Sequence, residues 1–291
     1  MEFAYAEPRE LLPGVSRIVA NNPGPFTFKG TNTYIIGRES LAVIDPGPDD
    51  AAHRQAILAA AAGRPITHII LTHTHFDHYE GLPELQKATG ARTAGYGAER
   101  RSQGMRRHKK AETGDVSFRP DVVLRDGDRL ESEEWALEAV FTPGHAPDHL
   151  CFALAGTRAL FSGDHVMSWN TSVVAPPEGN MSDYMASLEK LLLRDDGILL
   201  PGHGGQLGSP EKLVRAFLVH RRMREQAVMQ AIRQGMASIP DITDAVYRGL
   251  DSRLVDAARA SVLAHVERLV ALGQVRSEGP ASDPRLQAAG A

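Results

Sequence analysis

The sequence predicts an α+β fold followed by a small helical appendage at its C-terminal end. Three observations carry this. Between residues 15 and 200, short apolar or β-branched runs recur, bounded by Gly, Pro, Asn or Asp, as strands are. A few capped segments rich in Ala or Leu interrupt them and read as helices. Beyond Ser209 the pattern changes to helical spacing of apolar residues almost throughout. A chain of 291 residues suits one large domain and one small one. The change of texture places them at 1–208 and 209–291.

Composition narrows the classes. Hydrophobic residues make up 42% and charged residues 23%, enough to bury a sizeable core. A net charge of −4 gives no global basic field to attract nucleic acid, although local patches still count. The single cysteine, Cys151, excludes an intrachain disulfide and fits a reducing cytoplasm. The first eight residues have neither the basic nor the apolar region of a signal peptide. No apolar run reaches the roughly 20 residues of a membrane span.

Taken in order, residues 15–20 read as a first strand, broken by the Asn21-Asn22-Pro23-Gly24-Pro25 cluster. Residues 31–36 and 41–45 form two further strands joined by a short loop containing Gly37, which suggests a hairpin. Asp49-Asp50 starts an Ala-rich helix over 51–62, stopped by Gly63. A strand over 67–71 leads into a His-rich loop, and a helix then runs through Leu82, Leu85 and Ala88 to Gly90. Arg100, Arg101, Arg106, Arg107, Lys109 and Lys110 cluster in a less regular stretch. It reads first as a solvated loop, and alternatively as an electropositive lip for an anionic substrate. Strands over 121–124, 136–141, 150–154 and 159–161 follow with no helix between them, so this half reads as a mostly antiparallel sheet. A helix over 183–193 and a strand over 198–200 complete the large domain. The appendage holds a helix over 210–234, capped by Ser209 with Pro210 in its first turn. Helices over 241–250 and 254–272 and a short strand from Gly273 follow, with a β-wing expected there and a disordered last dozen residues.

The chemistry concentrates in Thr72-His73-Thr74-His75-Phe76-Asp77-His78. These residues follow a buried strand, so the loop sits where open α/β sheets place their sites. Adjacent loop residues diverge, so His73 and His75 could face one metal while Asp77 and His78 face another. Neutral imidazole with carboxylate suits zinc, and manganese or iron(II) can also take such a set. Three more segments repeat the order of strand, tight turn and ligand, and end at His145, Asp164 and His203. Together the segments supply five His and two Asp, the inventory of a dinuclear centre.

In this order, His73-x-His75-x-Asp77-His78, His145, Asp164 and His203 resemble the metallo-β-lactamase superfamily. The resemblance covers residues 15–207 and includes Asp45 in Val43-Ile44-Asp45-Pro46-Gly47. It implies a four-layer αββα sandwich. Gly30-Thr31-Asn32-Thr33-Tyr34, the Asp148-His149 pair and the helical tail are most similar to the lactamase-β-2-like branch. That branch carries a C-terminal winged-helix-like domain. The resemblance further implies that His73, His75 and His145 hold one metal, that Asp77, His78 and His203 hold the other, and that Asp164 bridges them. Asp45 would orient a ligand imidazole. Some zinc β-lactamases carry Cys where Asp164 stands, and flavin-linked diiron members carry an acidic residue at the position of His75. Asp164 and His75 therefore point to a two-metal hydrolase rather than to antibiotic destruction or redox use.

The function expected is hydrolysis by a metal-bridging hydroxide between two divalent ions, zinc first. Asp77 would orient the nucleophile or move its proton, and His165, beside Asp164, is a candidate catalytic group facing the pocket. His149 could contact substrate or cap a strand, and Asn180 could touch substrate. The substrate classes open are single-stranded RNA and a small ester, lactone or thioester. Two alternatives stand beside this. In one, the chain is a nucleic-acid-binding module whose metal is structural. In the other, it is a mononuclear iron dioxygenase of the same superfamily. The helical tail would pack over the pocket, bind nucleic acid or form a homodimer contact.

Overall fold

The computed structural model describes residues 3–97, 118–278 and 285–289. The basic run over 100–110 lies outside them. Two sheets face each other. The first has seven strands in sequential order: β1 (Arg9–Leu12), β2 (Val15–Val19), β3 (Asn32–Ile36), β4 (Leu41–Ile44), β5 (Ile66–Ile70), β6 (Arg92–Gly95) and β7 (Val122–Val123). It is antiparallel from β1 to β4, with β3 and β4 in the hairpin expected, and parallel from β4 to β7. The parallel half needs crossovers, and α1 (Ala51–Ala61) and α3 (Leu82–Thr89) supply two of them. Asp50 caps α1 by accepting from the backbone amides of Ala52 and His53.

The second sheet runs β13-β12-β11-β10-β9-β8, built from β8 (Arg129–Glu131), β9 (Ala136–Phe141), β10 (Leu150–Leu154), β11 (Ala159–Gly163), β12 (Ile198–Pro201) and β13 (Leu207–Gly208). It is antiparallel except between β11 and β12, where α4 (Met181–Leu191) makes the crossover. Residues 121–124, read as part of this sheet, instead form β7 at the edge of the first.

The layers follow from which faces are apolar. Tyr34, Ile36, Ile44 and Ile70 of the first sheet meet Leu137, Phe152, Phe161 and Leu200 of the second in one core. Ile57 on α1 and Leu82 and Leu85 on α3 cover the first sheet's outer face. Tyr184 and Leu188 on α4, with Phe217 and Leu218 on α5 (Pro210–Arg233), cover the second's. Strands covered on both faces read as continuous apolar runs, which is why β3, β4 and β11 were legible. The result is the αββα sandwich, and the fold class expected from the sequence holds.

Helix α5 belongs to two cores. Val214, Phe217 and Leu218 pack against α4, while Val228, Ala231 and Ile232 pack with α6 (Ile239–Val246) and α7 (Val255–Ala271). A wing follows: β14 (Val275–Glu278) pairs with β15 (Arg285–Ala288). Among the described residues, then, the last dozen contain a strand rather than the expected disorder, because Leu286 is buried in the helical core. Ser209 also departs from expectation. Its backbone is left-handed (φ 55°) and its side chain caps nothing. Among the described residues no helix is long and apolar enough to cross a membrane.

Candidate metal centre

Each expected ligand, like the anchors Asp45 and Thr72, lies in a loop that follows a strand. Asp45 follows β4, Thr72 and His73 follow β5, His145 follows β9, Asp164 follows β11 and His203 follows β12. The His loop contains a four-residue helical turn, α2 (Phe76–Tyr79), which carries Asp77 and His78, while His73 and His75 precede it. Gly144 shows why the turn after β9 is glycine. At φ 135°, a Cβ there would lie 2.3 Å from Tyr184 Cα.

All seven ligands expected from the sequence converge. Their donor atoms form the overlapping groups His73/His75/His145, His73/His78/Asp164 and Asp77/His78/His203, each spanning 4.8 Å or less. Asp164 touches both halves: its oxygens lie 3.7 Å from His145 Nε2, 3.2 Å from His203 Nε2 and 3.5 Å from His78 Nε2.

The other nitrogen of each imidazole is occupied. His73 Nδ1 lies 2.9 Å from Thr72 Oγ1, which itself donates to Asp45 Oδ2. His78 Nδ1 pairs with Asp45 Oδ2 at 2.8 Å. His145 Nδ1 donates to the carbonyl of Val173 at 2.6 Å, and His203 Nδ1 faces that of Gly30 at 3.3 Å. His75 is the reverse: its Nε2 faces Glu178 Oε2 at 3.3 Å. With those nitrogens carrying the protons, the inward nitrogens carry lone pairs. Three of them crowd together: His75 Nδ1 is 3.0 Å from His73 Nε2 and 2.9 Å from His145 Nε2. Lone pairs repel at that range unless a cation lies among them, and Asp164 Oδ1 is likewise buried with no hydrogen-bond partner among the described residues. The donor set therefore fits divalent metals, a role that imidazoles anchored from behind suit.

The electrostatics differ between the two halves: His73 and His145 are held neutral without a cation, whereas His78 and His203 are not. Burial, reinforced by the neighbouring imidazoles, presses His73 well below its usual range and His145 down to about 4. In the other half burial also pushes down, but carboxylates overcome it. Asp77, Asp164 and Asp45 hold His78 well above its usual range, and Asp164 and Asp77 raise His203 to about 9. Burial would raise Asp77, yet His78 and His203 hold it below the carboxylate range.

His165 does not join the cluster. It is fully buried, edge-on to Tyr184, and burial pushes its imidazole down to about 3. His149 is buried beneath Asp164: its Nε2 accepts from the Asp164 amide while its Nδ1 faces Thr142 Oγ1. Asn180 caps α4. Thr31, which donates to Asp77 Oδ2 at 3.0 Å, and Glu178 carry no local signature that marks them as site residues.

Comparison with known proteins agrees with this architecture. Residues 26–203 match the metallo-beta-lactamase superfamily, and residues 238–282 match the beta-lactamase associated winged helix domain. The chain is 30% identical to an atrochrysone carboxyl ACP thioesterase of Paecilomyces divaricatus, over 90% of this chain and 77% of that one. It is 29% identical to the beta-lactamase-like protein 2 homolog of Caenorhabditis elegans, over 84% and 80%. A metallo-beta-lactamase family protein of Thermus thermophilus shares the fold with a TM-score of 0.78 at 23% identity, over 96% of this chain and 100% of that one. By sequence match and fold, the chain belongs to the metallo-beta-lactamase superfamily and is a hydrolase of that superfamily with an associated winged-helix domain.

Proposed function

We propose that the protein is a dinuclear metal hydrolase acting on acyl thioesters. The observation that carries the dinuclear reading is the convergence of two ligand triads on Asp164, with every imidazole anchored from behind. Zinc suits this donor set best. Ions bound there would supply Lewis acidity, activating water and polarising the scissile carbonyl.

The chain's own residues divide the remaining work. Asp77 is the ligand most open to solvent, with 28% of its side chain exposed. As the most open carboxylate of the cluster, Asp77 would orient the attacking water. Asp77 and Asp164 would both be held as metal ligands, so neither carboxylate of the cluster is a free proton donor. That favours a leaving group that needs no proton. A thiolate, with an ordinary pKa of about 8.5, departs more readily than an alkoxide. The likeness to a protein named as an ACP thioesterase supports the same class.

A ribonuclease reading has less support. The arginines on and just before α7 are matched by acids: Arg253 with Asp251, Arg259 with Asp256 and Arg268 with Glu225. Zinc-loaded protein should release thiol from acyl-N-acetylcysteamine thioesters at least about tenfold faster than it cleaves the oxygen-ester analogues, and should leave single-stranded RNA intact. RNA cleavage without thioester turnover would contradict the proposal.

A further inference from the structure

We infer that Arg221, on α5 and outside the ligand cluster, is a positioning residue for the His73/His75/His145 half of the metal centre. The inference rests on the two-metal reading. Arg221 is 3% exposed, its guanidinium donates to the carbonyl of Ser172, and it lies 5.2 Å over the Tyr184 ring. No carboxylate lies within ion-pair distance among the described residues, and its Nε has no partner there. Burying a cation this way is unfavourable, and an apolar side chain would fill the space more cheaply.

What the guanidinium holds explains its presence. Ser172 opens a short segment that carries two of the site's anchors. The next residue, Val173, takes the Nδ1 proton of His145 at 2.6 Å, and Glu178 faces His75 Nε2 at 3.3 Å. The segment is further tied through His165, whose carbonyl accepts from Ser172 Oγ at 2.8 Å and Tyr184 Oη at 3.1 Å. Arg221 thus clamps the front of the segment from the helical layer.

The other half of the centre is anchored elsewhere. His78 leans on Asp45 and His203 on Gly30, both in the first sheet's half of the molecule. Loosening the 172–178 segment should therefore weaken one metal equivalent and spare the other. Through this link the helical layer contributes to the ion affinity of a site it does not touch.

The test is cobalt binding to the full-length protein, followed by its visible absorption and by competition with a chromophoric chelator. Wild type should bind two equivalents. Arg221→Met should lose at least about tenfold in affinity for one equivalent, with altered absorption for that ion, and stay within about twofold for the other. Arg221→Lys keeps the cation without its planar reach. It should show a smaller loss on the same equivalent, and it carries the test if Arg221→Met does not fold. Arg268→Gln, in the same layer but bonded to Ser182 Oγ, should leave both equivalents unchanged. Unchanged or equal weakening of both equivalents in the Arg221 variants, or the same selective loss in Arg268→Gln, would overturn the inference. Failure of wild type to bind cobalt would instead overturn the two-metal reading beneath it.

Discussion

Asp45 Oδ2 and His78 Nδ1 lie 2.8 Å apart, and both side chains are buried. The same oxygen accepts from Thr72 Oγ1, which faces His73, while Oδ1 accepts from the Thr72 amide. One carboxylate therefore orients an imidazole in each half of the centre. Asp45 holds a left-handed backbone (φ 52°), which Asn also tolerates. Asp45→Asn should keep the fold and lower zinc affinity about 10- to 100-fold, the usual effect of removing such a partner. Asp45→Ala should add a fall in melting temperature. Chelator competition and thermal unfolding separate the two.

Gly202 sits against the ligands. A Cβ there would lie 2.3 Å from Asp164 Oδ1 and 2.7 Å from His78 Cε1. Gly202→Ala should displace both ligands, so at least one metal equivalent should disappear from elemental analysis while circular dichroism shows a folded chain. Retention of both ions would mean that the centre yields more readily than its packing implies.

His53 reports on stability rather than catalysis. Its Nε2 faces Thr33 Oγ1 at 2.7 Å, and Thr33 donates to the Asp45 carbonyl, so the imidazole donates while neutral. Burial, only partly opposed by Asp50, lowers it from 6.5 to about 4. A histidine with a depressed folded pKa is more easily protonated in the unfolded chain. Its contribution is therefore intact above about pH 6.5 and is lost as pH falls toward 4. Between pH 7 and pH 5 this amounts to about 2 kcal/mol. In metal-free protein, His53→Gln should flatten the pH dependence of urea unfolding by about that much; an unchanged slope would contradict it.

Phe217 ties α5 to the sandwich beside α4. Phe217→Ala should cost about 3 kcal/mol or more in unfolding free energy, the usual penalty for emptying an aromatic core position. If α5 were a loosely tethered appendage the loss would be well under 1 kcal/mol. Denaturant unfolding decides between them.

Much of this was legible in the sequence, for identifiable reasons. His73, His75, Asp77 and His78 announce themselves because one loop supplies four ligands. His145, Asp164 and His203 follow apolar runs through glycine turns, a pattern readable one segment at a time. Contacts set only by the tertiary fold were not legible. Nothing local tells Glu178 that it faces His75, or Val173 that its carbonyl meets His145. Residues 121–124 have strand character, but which sheet they join depends on β6, whose Arg92-Thr93-Ala94-Gly95 has little apolar signal. Ser209 looks like a cap because serine usually is one, yet its backbone is left-handed and its side chain makes no capping hydrogen bond. His165 attracts attention by standing next to Asp164, but it lies fully buried against Tyr184.

The central claim is that seven ligands form one two-ion centre that drives hydrolysis. Elemental analysis of the purified protein, paired with thioester turnover before and after chelation, tests it most directly. The account predicts two divalent ions per chain, loss of turnover as they are removed, and recovery when zinc is returned. A single iron per chain, or turnover that survives complete removal of metal, would contradict it.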